Sequence, residues 1–415
     1  MTVIKFLSDT SNRNILSSLH LRPDALVLLG CDAEKLKSVQ SNLSKVFSSA
    51  GIHTEVICRT INIQNLENCT RTLIELHREY NNCIFDISGG DTRGIAAIGA
   101  AAEKCRAAVV ISDIYTGNLQ FLQGDIISHN EPHKMTIAEN IKLFGGVISY
   151  CTNRDPNSPF LRTTADERRD LLTIWDICRT DPALWNASLK SLKSIVETPA
   201  YKQKPLSFST SIEQSGITEK HITAMHPLMT KLLGAGILTE YSRGGGHLRF
   251  AFKNRFVGYV LSKAGTVLEL CTYLAAIYRK KDEPQVFDGG DTGVTIDWDG
   301  TVYSAYKKSA VYGSRSKNIG YVPDVINEID VMLMKNNVPF FISCKNGQVT
   351  SDELYKLSSV ADRFGGRSAK KALVLTSYLP DELFLQRARE MNIAVIRDVH
   401  KMEFKEFSQI LKNSI

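Results

Sequence analysis

The sequence predicts an α/β protein built in three parts, and three observations carry that expectation. Over residues 1–150, short apolar runs alternate with helical stretches, the pattern of a mostly parallel, doubly wound sheet. Residues 151–255 read as helices followed by a glycine-tipped β-hairpin, a winged-helix-like connector. From 256 to 415 a strong helix is followed by a second α/β unit, with Asp330 in mid-strand and Lys345 ending the next strand.

Composition bounds the rest. A chain of 415 residues is long enough for two or three domains, and 43% hydrophobic with 23% charged is ordinary for a globular protein. The formal net charge of +6 permits nucleic-acid binding without demanding it. The nine cysteines are scattered singly with no CxxC pair, which suits a reducing compartment and argues against a disulfide framework or a zinc site. The N-terminus has no signal-peptide pattern, and no apolar run approaches the ~18 residues of a membrane span, so a cytoplasmic protein is expected.

In chain order, the first part places strands at 3–7, 25–30, 53–58, 83–87 and 107–112. Helices are expected between them at 11–19, 33–49, 64–80 and 92–105. A strand at 118–122 and a helix at 135–143, capped by Thr136, close this part. Ligands on such sheets bind beyond the carboxyl ends of the strands. After the fourth strand comes Ser88-Gly89-Gly90-Asp91-Thr92-Arg93. Its glycines let backbone approach a ligand, and the next helix points its N-terminus at the same place. After the first strand come Ser8, Asp9, Thr10 and Asn14. Neither loop is a GxGxxG or Walker A motif, so dinucleotides and ATP are not indicated. Two readings stand: a phosphate or ribose site, and a tight turn in which Asp91 or Thr92 caps a helix.

The order of elements, with DISGGDTRG after the fourth strand, resembles the CRISPR-associated Rossmann-fold (CARF) sensor domain. The resemblance implies binding of a cyclic oligoadenylate across the twofold axis of a homodimer. Carried over by position, it points to Ser88, Gly89, Gly90, Asp91, Thr92 and Arg93, with Ser8, Asp9, Thr10 and Asn14 from the first loop.

A polar, proline-containing loop at 151–159 marks the next boundary. Helices are expected at 164–179 and 182–196, and shorter ones at 211–214, 218–225 and 227–235. The hairpin that follows carries Arg243 near its tip. Nucleic-acid contact and a rigid spacer are both open, and the sparse basic clustering over 218–235 favours the spacer.

The third part opens with a helix at 256–276 that sets Glu269 among apolar neighbours. A carboxylate there needs a partner or a metal, and Tyr259, Lys263 and Arg279 are candidate partners. A strand at 293–299 puts Asp297 and Asp299 on one face. Residues 301–321 interleave basic and aromatic side chains, as a single-strand-binding loop or as a solvated insertion. Strands at 325–334 and 338–344 are joined by Lys335-Asn336-Asn337, and Glu328 and Asp330 share a face. Helices at 351–364 and 381–391 and strands at 371–376 and 393–397 complete the part. A lone aspartate and a lone lysine are costly to bury unless they pair with each other or with a metal.

This order resembles the PD-(D/E)xK nuclease superfamily, with GTVLE, EID and SCK standing for its helix and strand motifs. The resemblance implies that Glu269, Asp330 and the backbone carbonyl of Cys344 hold a divalent metal, Mn²⁺ or Mg²⁺. It implies that Lys345 orients or deprotonates the attacking water and stabilises the pentavalent state. Hard oxygen ligands and a nearby cation suit that chemistry. The chain departs from the pattern at Ser343, where a carboxylate is expected, and Glu328 or Asp297 would then complete the metal's ligands. Residues 364–371 also resemble sister CARF nucleases.

Together the resemblances imply a homodimeric, metal-dependent nuclease of type III CRISPR defence, activated by a cyclic oligoadenylate, cyclic tetra-adenylate first. The resemblance implies DNA as substrate, cut by nicking or as single strands, or RNA, and the residues do not choose between them. Two competing readings remain open. One is a ligand-gated winged-helix transcription regulator with a degenerate nuclease fold. The other is slow cleavage of the activator by the N-terminal domain.

Overall fold

Five short, proline-free apolar runs become the parallel core of the first sheet: β1 (Thr2–Phe6), β2 (Ala25–Gly30), β3 (Glu55–Thr60), β4 (Cys83–Asp86) and β5 (Ala108–Ser112). β6 (Leu119–Gln123) adds an antiparallel edge. The order is β3-β2-β1-β4-β5-β6. Every residue of β1 and β2 is buried, as a sheet covered on both faces requires. Its covering helices are α1 (Leu16–Leu21), α2 (Ala33–Ser49), α3 (Leu66–Glu79) and α4 (Thr92–Cys105). This computed structural model describes residues 1–124, 131–153, 158–196, 206–212, 218–298, 326–376 and 381–415.

The helix expected at 11–19 is instead a single 3₁₀ turn over Ser11–Asn14 followed by α1. The Asn14 side chain accepts from the Ser8 N–H (2.8 Å) and donates to the Ser8 carbonyl (3.0 Å). Such local side-chain bonds compete with helix formation. Further on, α5 (Ile137–Leu143) starts on a reciprocal capping box between Thr136 and Glu139.

The first part was expected to run to residue 150 with no strand after its last helix, but Val147–Tyr150 forms a strand, β7. It pairs with β11 (Gly289–Asp297) at the edge of the C-terminal sheet. The connector contains α6 (Ala165–Thr180), α7 (Pro182–Val196), β8 (Ser207–Ser211), α8 (Glu219–Gly234), β9 (Leu238–Gly244) and β10 (His247–Phe252). Its strands form a three-stranded sheet, β8-β10-β9. The two short helices expected at 218–225 and 227–235 are the single helix α8, which runs through Pro227. Buried Ile222, Met225, Leu228, Met229 and Leu232 hold it across the lost hydrogen bond.

The helix expected at 256–276 breaks into α9 (Arg255–Val260) and α10 (Thr266–Ile277). After β11 come β12 (Ile326–Lys335), β13 (Val338–Lys345), α11 (Ser351–Gly365), β14 (Lys370–Leu375), α12 (Glu382–Glu390), β15 (Ile393–Ile396) and α13 (Phe404–Ser414). The second six-stranded sheet has the order β15-β14-β13-β12-β11-β7. One face shares a core with the connector, through Trp175, Trp185, Tyr273, Phe340 and Phe407. The other shares a core with the first part, through Phe47, Phe144, Phe341 and Phe364.

The β12–β13 turn is tighter than the sequence suggests, because Lys335 pairs with Val338. That leaves Asn336 and Asn337 as a two-residue turn with φ of +50° and +65°, a conformation asparagine tolerates. The turn is docked on the first part. Asn337 accepts from Asn12 Nδ2 at its carbonyl (3.1 Å) and from the Met135 N–H at Oδ1 (2.7 Å), while Asn336 Nδ2 donates to the Tyr115 carbonyl (2.8 Å). Among the described residues no helix is long and apolar enough to cross a membrane.

Candidate active site

The tight turn fixes β12 against β13, and β13 brings Ser343, Cys344 and Lys345 up to Asp330. Asp330 Oδ2 accepts from the Ser343 hydroxyl (3.0 Å) and from the Cys344 N–H (2.6 Å). So the serine that replaces an expected carboxylate orients the neighbouring carboxylate. Strand alternation breaks here. Ile329, Met332 and Met334 face one core, while Val331 and Leu333 face the other. The register that sets Thr292 opposite Val331 and Val294 opposite Ile329 leaves Gly293 opposite Asp330. Gly293 has φ +59°, where a side chain is strained, and a Cβ on it would lie 4.0 Å from Glu328 Oε1. Burial pushes the Asp330 carboxyl up, against the pull of Lys345, the Cys344 N–H and the Ser343 hydroxyl.

Glu269 lies in the first turn of α10, because the helix restarts at Thr266. Burial first, then the Asp330 and Glu328 carboxylates, push it up to about 8, against Lys263 and Lys345. Glu328 is half exposed, with Lys263 Nζ 3.7 Å away. Burial works against charge on Lys345, but Asp330 and Glu353 outweigh it and raise its pKa. Its Nζ lies 3.0 Å from Glu353 Oε2, and Lys356 Nζ lies 3.3 Å from Glu353 Oε1. Glu353, at the start of α11, is the member of this cluster that sequence reasoning missed. Its signal was an acidic residue eight positions after Lys345, in the first turn of the next helix.

Glu269, Asp330 and Glu328 thus form a crowd of carboxylates with Lys345 at its edge. The donor set is all hard oxygen, which fits Mg²⁺ or Mn²⁺, and a cation would relieve the repulsion that raises Glu269. Among the described residues, no group of three or more His, Cys, Asp or Glu is gathered so as to hold an ion. The fit is therefore in ligand chemistry and charge, without a closed cage. Cys344 gives its N–H to Asp330, and burial keeps its thiol protonated beside the Thr272 hydroxyl. Asp297 is buried at the end of β11, opposite Ile326 and two register positions from the Thr295–Glu328 pair. Asp299 and the basic, aromatic segment 301–321 lie outside the described residues.

The residues expected to bind a ligand in the first part gather where β1 and β4 lie side by side, the point at which strand order reverses. A Cβ on Gly89 would lie 2.7 Å from Ser8 Cβ, and one on Gly90 would lie 2.8 Å from Phe6 Cβ. Gly90 also has φ +120°, so the two loops touch only because these are glycines. Ser88 and Asn14 are buried and bonded to protein: the Ser88 hydroxyl accepts from the Ser112 N–H (2.7 Å), and Asn14 staples Ser8. Asp91 caps α4 by accepting from the Arg93 N–H (2.8 Å). Asp91, Thr92 and Arg93 are exposed, with Arg93 Nη1 donating to Gln64 Oε1 (2.5 Å). Thr10 gives its N–H to the Ser8 hydroxyl (3.2 Å). The Lys35 ammonium holds the exposed Asp9 carboxyl below its usual range, with Arg367 of the C-terminal unit contributing. Beneath both loops, a fully buried Lys5–Asp86 ion pair links β1 to β4. In the connector, Arg243 is ion-paired to Glu219.

Residues 318–414 match the family model described as Card1-like, endonuclease domain. The chain has the fold of protein VC1899 from Vibrio cholerae, at 18% identity and TM-score 0.69, covering 99% of this chain and 97% of that one. It likewise shares the fold of Can2 from Sulfobacillus thermosulfidooxidans, solved in complex with cyclic tetra-adenylate. There the identity is 17% and the TM-score 0.61, covering 99% of this chain and 95% of that one. No curated protein matches the chain at the level of sequence.

Proposed function

We propose, from a C-terminal unit that is Card1-like in sequence and a whole-chain fold shared with a cyclic-tetra-adenylate-binding protein, that this chain is a nuclease. Its activity would depend on a divalent metal, be switched by a cyclic oligoadenylate and serve type III CRISPR defence. The observation that carries the reading is the convergence of Glu269, Asp330 and a charged Lys345 around the Ser343–Cys344 backbone. A bound cation would polarise the scissile phosphate and activate a water. Glu269 and Asp330, with Glu328 beside them, would hold it. Ser343 keeps the Asp330 carboxylate in one orientation. Lys345 Nζ, positioned by Glu353, donates to a phosphate oxygen on which negative charge builds. A homodimer with the activator bound over the 8–10 and 88–93 loops belongs to the same proposal.

The test incubates the protein with supercoiled plasmid, single-stranded DNA and RNA, in Mg²⁺, Mn²⁺ or chelator, with and without cyclic tetra-adenylate. Cleavage requiring both metal and activator is expected. Cleavage in chelator sinks the metal assignment, and equal cleavage without activator sinks the switch.

The proposed route between the sites is the β12–β13 hairpin. Its turn touches Asn12, next to the first ligand loop, and its strands carry Asp330 and Lys345. Asp330 stands six residues from Asn336, about 20 Å along a strand. Asn337→Gly keeps the turn conformation and removes the Asn337 side-chain bonds to Met135 and His133. Without activator it should stay at the parent's background, while its activated cleavage, and with it the activation ratio, falls about tenfold, within the usual range of coupling energies. An unchanged ratio would remove the hairpin from the route.

A further inference from the structure

Beside the carboxylate cluster lies a cleft of about 380 Å³ that the proposed mechanism does not use. Its size falls within the ~300–1,000 Å³ of typical ligand sites. Tyr150, Phe256 and Tyr259 supply aromatic walls, and the exposed Arg162 and Arg255 and the half-buried Thr152 line it too. Tyr150 is 57% exposed although its strand sits on the sheet edge beside β11. The Thr152 hydroxyl bonds the Tyr259 hydroxyl (3.3 Å), which fixes one ring.

The cleft abuts the site. The same Thr152 hydroxyl would lie 3.3 Å from a Cβ on Gly293, the residue facing Asp330. Leu270, next in sequence to Glu269, lines the cleft as well. The acidic residue on the wall, Glu167, is engaged by the capping box of α6, where it accepts from the Thr164 N–H (2.7 Å). Aromatic surface and the exposed Arg255 guanidinium thus lie next to a place where phosphate would react.

Resting on the nuclease reading, we propose that this cleft is a subsite for one unpaired nucleotide of the substrate strand. The base stacks on the Tyr150, Phe256 and Tyr259 surface, and the flanking phosphate contacts Arg255. Aromatic stacking accepts every base and needs the base out of a duplex, so the subsite selects single strands without reading sequence. DNA and RNA offer the same base and phosphate here, and the assay separates them.

The test measures fluorescence anisotropy of labelled short single-stranded DNA, single-stranded RNA and duplex DNA, with no added metal, with and without cyclic tetra-adenylate. The expected result is preference for a single strand, weakened about tenfold by Tyr150→Ala, with duplex binding unchanged. Arg255→Gln, an exposed position, should reduce the slope of log affinity against log salt by about 0.7, one phosphate contact on a single strand. A single strand carrying abasic positions should bind the parent more weakly and Tyr150→Ala no more weakly than its intact counterpart. If both variants bind single strands as the parent does, or if duplex binding falls equally, the subsite is wrong. Should the parent bind this way and never cut, the subsite stands and the nuclease reading fails. If it cuts while both variants equal it in binding, the reverse holds.

Discussion

Lys345→Ala is expected to slow cleavage by about 10²–10³-fold while the protein melts close to the parent temperature. The rate effect follows from position. Lys345 is held charged despite its burial, by Asp330 and Glu353, and it ends the strand whose backbone binds Asp330. A preorganised cation aimed at developing charge has its largest effect in the transition state. The small stability effect follows from redundancy, since Glu353 keeps Lys356 as a partner once Lys345 is gone. Glu353→Gln leaves the ammonium in place but untethered, and should cost about tenfold in rate, less than Lys345→Ala. Plasmid cleavage under saturating metal and activator checks both. A Lys345→Ala protein that cuts as fast as the parent removes the lysine from the chemistry.

Glu269→Gln should raise the melting temperature of the metal-free protein at pH 8.5 by roughly 2–4 °C and abolish stabilisation by Mn²⁺. A glutamate ordinarily ionises near 4.5, whereas burial, Asp330 and Glu328 hold Glu269 protonated to about 8. Between those values the folded chain carries the proton that the unfolded chain has lost. The Glu269 contribution to stability is therefore present below about 4.5, declines as pH rises, and is gone above about 8. Binding a cation must expel that proton, so metal stabilises the parent more at pH 8.5 than at pH 6. Thermal melts over this range, with and without Mn²⁺, measure it directly. A metal-induced shift that persists in Glu269→Gln, or that does not grow with pH in the parent, contradicts the assignment.

Periodicity was enough to read the parallel sheet of the first part, since buried parallel strands are continuous apolar runs such as ALVLLG. Asp330 and Lys345 were legible because ionisable groups are conspicuous in apolar strands. Glu353 was hidden, because an acidic residue in the first turn of a helix is ordinary capping chemistry. The Lys5–Asp86 pair was hidden for a different reason. Its members are 81 residues apart, and only strand order makes β1 and β4 neighbours. The break between α9 and α10 escaped an apolar periodicity that runs through it, and the expected reach of the first part to Tyr150 missed the pairing that carries β7 into the other sheet.

That last pairing limits how the chain can be recombined. β7 precedes the whole connector in sequence, yet it covers the outer edge of β11. A fragment starting at 256 would keep Glu269, Asp330 and Lys345 and still expose a bare row of backbone donors and acceptors along β11. Open edges of this kind pair with other chains and aggregate. Grafting this C-terminal unit onto a foreign N-terminal part therefore requires a junction before Val147, so that the edge strand travels with the sheet it closes.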